Sequence, residues 1–172
     1  MSRELFVLIL SWVASILLLL WKVEKSKRRE IQIVFLFTQT LGWLYVFVQT
    51  YFDNLVFPFR EFPKATDMLL SLHFIIYPTF IVFFVMYYPK TKIKWKILLY
   101  WALFIAGHQL YESILETYTN IIEAKHWKWY WGLLVKTFIY FVIYRFYLWF
   151  RKGLGQGDRS VVPPNTSTKG SK

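Results

Sequence analysis

The chain predicts an all-α bundle of five transmembrane helices, with its amino terminus outside and its carboxyl terminus in the cytoplasm. Three observations carry this. Long apolar stretches recur along the sequence, the charges are bunched between them, and the basic residues fall in alternate loops. Of 172 residues, 56% are hydrophobic and 22% aromatic, while only 18% are charged. A water-soluble core of this length cannot absorb so much Phe, Trp, Tyr, Leu and Ile without leaving large exposed apolar patches. Lipid can.

Each element follows from the requirement of about 20 mostly apolar residues per crossing. Leu5 to Trp21 contains no charge. Ile31 to Phe52 is interrupted by Thr38, Gln39, Thr40 and Gln49. Met68 to Tyr88 carries His73 and Pro78. Ile97 to Tyr118 is apolar in its first half and then holds His108, Gln109, Glu112 and Glu116. It spans only if neighbouring helices shelter those groups, and a four-span protein is the alternative. Trp129 to Phe150 contains Lys136 and Arg145. The first stretch differs from a signal peptide in its leader MSRE, in the absence of a small-residue cleavage site, and in the basic run that follows it. It reads as a retained helix.

Charge placement gives the orientation. The loops after the first and third helices and the tail after the fifth hold fourteen Lys and Arg, among them Lys22 to Arg29 and Lys90 to Lys96; the opposite side holds five. Basic loops stay in the cytoplasm. The net charge of +11 is therefore read as this bias plus attraction to anionic lipid head groups, and nucleic acid is not an expected partner. His126 to Trp131 has the composition of an interfacial aromatic belt. Residues 1–150 form the membrane domain, and 151–172, rich in Gly, Ser and Pro, read as a disordered cytoplasmic tail.

Ionisable groups at membrane depth are costly and each needs an explanation. His108, Glu112 and Glu116 share one helix face at i, i+4, i+8 spacing. A rise of about 1.5 Å per residue puts Glu112 roughly 22 Å across from the cytoplasmic side and Lys136 roughly 10 Å in from outside. In a core about 30 Å thick the two lie at nearly one level, which predicts an ion pair between the fourth and fifth helices. Gln49 and Asp53 end a polar face of the second helix, and His73 heads a stripe on the third with Tyr77, Phe80 and Phe84. The candidate cluster is therefore His73, His108, Glu112, Glu116, Lys136, Gln49 and Asp53. The loop Asp53 to Asp67, with its two prolines, reads as a structured lid or re-entrant turn.

The bland reading of this cluster is glue between helices; the sharper one is a substrate or proton pathway opening outward. No cysteine is present, which excludes disulfides and thiolate metal sites, and the His and Glu spacing is not HExxH. No Gly-rich phosphate loop or GxSxG occurs either. No catalytic residue, cofactor or metal is expected.

The stretch Phe57-Pro58-Phe59-Arg60-Glu61-Phe62-Pro63-Lys64 with the helix containing Pro78, and Glu112 to Ile122 with Trp127-Lys128-Trp129, resemble a family of small multi-pass integral membrane proteins of endospore-forming Firmicutes. The resemblance covers most of residues 5–150. It implies a multi-pass protein of the bacterial plasma membrane and assigns no catalytic residues. The expected function is a non-enzymatic scaffold, sensor or accessory subunit, with a membrane protein partner or a second copy; the alternative is a small permease or proton-coupled carrier.

Overall fold

The computed structural model describes residues 3–125 and 128–160, and the chain is mostly helical. Helix α1 spans Arg3–Lys22, and a 3-10 turn at Lys25–Lys27 leads into α2, Arg28–Tyr51. A two-residue strand β1, Leu55–Val56, precedes a π-helical turn, Leu72–Ile76, that runs on into α3, Tyr77–Met86. Helix α4 is Lys94–Tyr118, strand β2 is Glu123–Ala124, and α5 is Trp129–Ser160. Among the described residues three helices are long and apolar enough to cross a membrane: Arg3–Lys22, Lys25–Tyr51 and Trp129–Leu154.

Two elements differ from the sequence expectation. The third segment, read as a 21-residue span, is a helix of only about 15 residues, Leu72–Met86. At 1.5 Å per residue it reaches about 22 Å, short of a hydrocarbon core about 30 Å thick. Its start is drawn into the preceding loop, where the Glu61 carboxylate accepts hydrogen bonds from the backbone N–H groups of Leu70 and Ser71, both at 3.1 Å. A carboxylate across two free N–H groups at a helix start satisfies them and opposes the helix dipole. The fifth helix runs the other way and continues to Ser160, ten residues into the expected tail. No proline occurs between Trp129 and Pro163, and extending an existing helix needs no new nucleus. The remaining tail, 161–172, and His126 and Trp127 of the aromatic belt lie outside the described residues.

Pro78 explains the π turn. It lacks the N–H that would bond the carbonyl four residues back, and its ring crowds that carbonyl. The ladder slips by one residue, so that the Tyr77 N–H donates to the Leu72 carbonyl, as a single π turn allows. The Phe74 carbonyl, left without its donor, accepts from Gln39 Nε2 of α2 at 2.5 Å. A side chain of α2 thus completes the backbone of the neighbouring segment.

Helix α2 ends in a left-handed turn at Asp53, with φ of 52°. The Asn54 N–H reaches back to the Gln49 carbonyl at 3.0 Å and the Asp53 N–H to that of Thr50 at 3.1 Å, the paired bonds of a Schellman end. The chain then enters the short ribbon in which Leu55 faces Ala124 and Val56 faces Glu123. Phe59 N–H to Asn120 carbonyl and Lys125 N–H to Asn54 carbonyl extend it. The loops following α2 and α4 are therefore zipped together at one end of the bundle. At the other end, Lys27, Lys90 and Arg151 border one cleft, so the lysine-rich segments gather there. In that region Lys27, 2.9 Å from Glu24, holds the Glu24 carboxyl below its usual range by hydrogen bonding and charge.

Packing falls into two apolar layers. Val46, Phe57, Leu72 and Leu115 belong to the layer under the ribbon, and Val34, Phe84, Val85 and Ile143 to the layer nearer the lysine-rich end. Thr38 and Gln39 of α2 and His108 and Gln109 of α4 fall between residues of the two layers.

Candidate functional site: a polar layer between helices

The site sits where α2, the π turn and α3, α4 and α5 converge. Lys136 Nζ of α5 is 2.5 Å from Glu112 Oε2 and 2.6 Å from Gln109 Oε1 of α4. The side chains of Lys136 and Glu112 are 11% and 23% exposed. A cation this buried requires such partners, because an unpaired ammonium in a low-dielectric interior costs several kcal/mol. Gln109 is one turn before Glu112 on the same face, so the two acceptors form a fork around one ammonium.

His108 lies one further turn into the bundle. Its Nε2 is 3.7 Å from Glu112 Oε1 and is buried without a hydrogen-bond partner. Its Nδ1 is 3.2 Å from the Tyr140 hydroxyl. Aromatic rings hold the imidazole in place: Phe80 stacks on it at 5.1 Å with planes 5° apart, and Tyr77 sits 4.6 Å away. His73, on the π turn, faces the same space, and its Nδ1 lies 3.3 Å from the Leu69 carbonyl. A carbonyl only accepts, so Nδ1 carries the proton and Nε2 is the acceptor. A Cβ at Gly42 of α2 would sit 3.8 Å from the His73 ring, an ordinary van der Waals contact.

Two cavities meet at the pair. An inner one of about 40 Å³ is bordered by Thr38, Tyr45, His73, His108, Glu112 and Lys136, enough for one or two waters on the scale of about 30 Å³ each. An outer vestibule of about 190 Å³ lies against the ribbon and is bordered by Gln109, Ser113, Glu116, Trp129, Glu112 and Lys136. Tyr45, Glu112 and Lys136 border both. The ion pair is thus the partition between vestibule and inner cavity, and His108 lies behind it, 4% exposed.

Below His108 lies the second apolar layer, in which Phe84, Tyr140 and Ile143 are buried. Phe84 is fully buried and packs 4.9 Å from both Tyr140 and Trp101 and 5.7 Å from Tyr88. Past it opens a cleft of about 430 Å³ at the lysine-rich end, bordered by Glu30, Tyr88, Tyr144, Tyr147, Lys90 and Arg151. There the Tyr147 hydroxyl donates to Glu30 Oε2 at 3.2 Å.

Of the seven residues chosen from sequence, the structure brings His73, His108, Glu112 and Lys136 around the inner cavity and places Glu116 in the vestibule, where its Oε1 accepts from the Ala124 N–H at 3.3 Å. Gln49 and Asp53 stand apart. The Gln49 amide oxygen accepts from the Asn54 side chain at 2.9 Å, and Asp53 occupies the left-handed position that ends α2. Asp53 belongs to the helix terminus, because the turn there bends the chain off the face that the spacing projects; Gln49 is still within α2, with its amide oxygen taken by Asn54 of that terminus. Gln109, Tyr140 and Tyr45 join the site although the candidate cluster did not include them; of these, spacing puts Tyr140 on the Lys136 side of α5. Gln109 was within reach of the same argument, three residues from Glu112; Tyr45 carried no polar signal that marks an inward face. Among the described residues no three His, Asp or Glu side chains gather as metal ligands.

Fold and site define a helical protein with helices able to cross a membrane and a buried polar layer between them. No family model matches the chain, and no curated protein or solved structure matches it significantly.

Proposed function

We propose that the chain is a five-span integral protein of a bacterial plasma membrane, amino terminus outside and carboxyl terminus cytoplasmic, acting without catalysis as a scaffold, sensor or accessory subunit. Membership of the small multi-pass family of endospore-forming Firmicutes is part of the same proposal. So are anionic lipid head groups at the basic loops and a membrane protein partner or second copy. One observation carries the functional reading: the Glu112–Lys136 pair closes the vestibule floor, and His108 is buried behind it. A pair so placed joins α4 to α5 and fixes their register, a well-attested use of buried charge. The short third helix and the polar half of α4 fit the five-span topology only as members of a bundle in which neighbours cover them.

The second reading, a proton-coupled carrier, is favoured by the end-to-end cavities. The ion pair stands between the vestibule and the inner cavity, and the buried apolar layer around Phe84 stands between that cavity and the cleft at the opposite end. Proton entry into vesicles holding the reconstituted full chain and a trapped pH dye separates the two. The scaffold reading expects wild type and Glu112→Gln both to match protein-free vesicles. Flux that depends on pH and disappears in Glu112→Gln establishes the carrier and overturns the scaffold.

A further inference from the structure

Helix α1 meets the bundle at two levels. Near its start Leu8 is buried in the layer under the ribbon, and near its end Leu19 packs against the opposite layer. Between them the helix presents Ser11, Ala14, Ser15 and Leu18, and the small side chains leave a gap. A groove of about 350 Å³ opens there against Phe80, Phe83 and Phe104. Tyr111 and Thr79 also border it, but both already donate their hydroxyl protons within the protein, to Ser11 Oγ at 3.0 Å and to the Ile75 carbonyl at 2.7 Å. A polar ligand gains little in such a space. An apolar cavity of about 150 Å³ stays dry and takes a benzene-sized guest; this groove is more than twice as large.

Charge points to the occupant. The groove's Leu18 end leads towards the basic segments. Lys22 follows Leu18 by four residues, about 6 Å along the helix, and Lys96 precedes Phe104 by eight, about 12 Å. We propose that the groove holds one acyl chain of an anionic phospholipid, its head group seated on Lys22, Lys94 and Lys96. The proposal rests on the membrane reading given above. It also ties the bound lipid to the polar layer, because Phe80, a wall of the groove, is the ring stacked on His108.

The test uses the full chain in mild detergent with dioleoyl phosphatidylglycerol or phosphatidylcholine, and counts retained lipids by native mass spectrometry. Ala14→Trp and the milder Ser15→Leu fill the groove. Leu17→Trp, at a position 60% exposed, adds bulk on another face. Wild type and Leu17→Trp are expected to keep one phosphatidylglycerol with about tenfold preference over phosphatidylcholine. Both groove variants are expected to lose it, and joint replacement of Lys22, Lys94 and Lys96 by Gln to erase the preference. Retention by both groove variants at the wild-type level, a preference that survives the lysine changes, or no lipid held by wild type overturns the proposal. Failure of the membrane reading shows separately, as a chain that alkaline carbonate strips from membranes.

Discussion

Replacing Glu112 by Gln and Lys136 by Met, singly and together, separates a structural ion pair from a replaceable one. At 2.5 Å and an effective dielectric of about 20, the gross attraction is about 6–7 kcal/mol. Desolvation of the two ions cancels most of it, so the net worth of the intact pair is small. Breaking it from one side is another matter. Glu112→Gln strands the Lys136 ammonium, 11% exposed, with only neutral amide acceptors; loss of a buried partner costs about 3–5 kcal/mol, reduced here to about 2–4 by the adjoining vestibule. Lys136→Met strands a carboxylate that is 23% exposed and can draw on vestibule water, at about 1–3 kcal/mol. The double variant removes both charges together, stranding neither, and is expected to fall within about 1 kcal/mol of wild type. The assay is unfolding of the full chain in one fixed detergent, read by circular dichroism. A coupling of about 2 kcal/mol or more, with Glu112→Gln the worse single change, is the expected result. Additivity within about 0.5 kcal/mol would refute the reasoning.

Three further outcomes follow from particular contacts. Gln39→Leu leaves the Phe74 carbonyl without its donor and is expected to cost about 1–3 kcal/mol; in a Pro78→Ala background, where the helix can supply an N–H again, the same change should cost little, and an equal cost in both backgrounds would sever the link to Pro78. Asp53→Gly and Asp53→Val both remove the Asp side chain, but only Val is forced to a φ of 52°, so the Val variant should be about 1–2 kcal/mol less stable than the Gly variant; thermal unfolding ranks the pair. Phe84→Ala empties the centre of an aromatic cluster and should cost about 3–5 kcal/mol; in dye-loaded vesicles the carrier reading further expects faster proton entry, removed again by Glu112→Gln, and unchanged tightness counts against a path through this ring.

The helices and the level of the polar layer were legible because they rest on local quantities. Apolar run length marks α1, α2 and α5, and a constant rise per residue puts Glu112 and Lys136 at one depth. Features set by tertiary context were not. The β-ribbon joins residues about 70 apart and is only two residues long on each side, too short for an alternating pattern to announce it. Pro78 marks a break, but whether a helix kinks, ends or slips into a π turn depends on a donor such as Gln39 arriving from a neighbour. Asp53 misled the face argument, since helical spacing projects a straight helix past its own end. Asp53-Asn54 held a usable signal there, because both residue types tolerate the left-handed conformation that stops a helix.

The central claim, five spans with the polar vestibule facing outward, meets its most direct test in cysteine accessibility on a chain that has no cysteine of its own. Single cysteines at Ser26, Lys64, Thr91, Asn120 and Ser167 are probed on intact cells with a membrane-impermeant thiol reagent. The account predicts labelling at Lys64 and Asn120, and at Ser26, Thr91 and Ser167 only after the membrane is opened. Labelling of Ser26 or Thr91 on intact cells, or protection of Lys64 and Asn120, would contradict it.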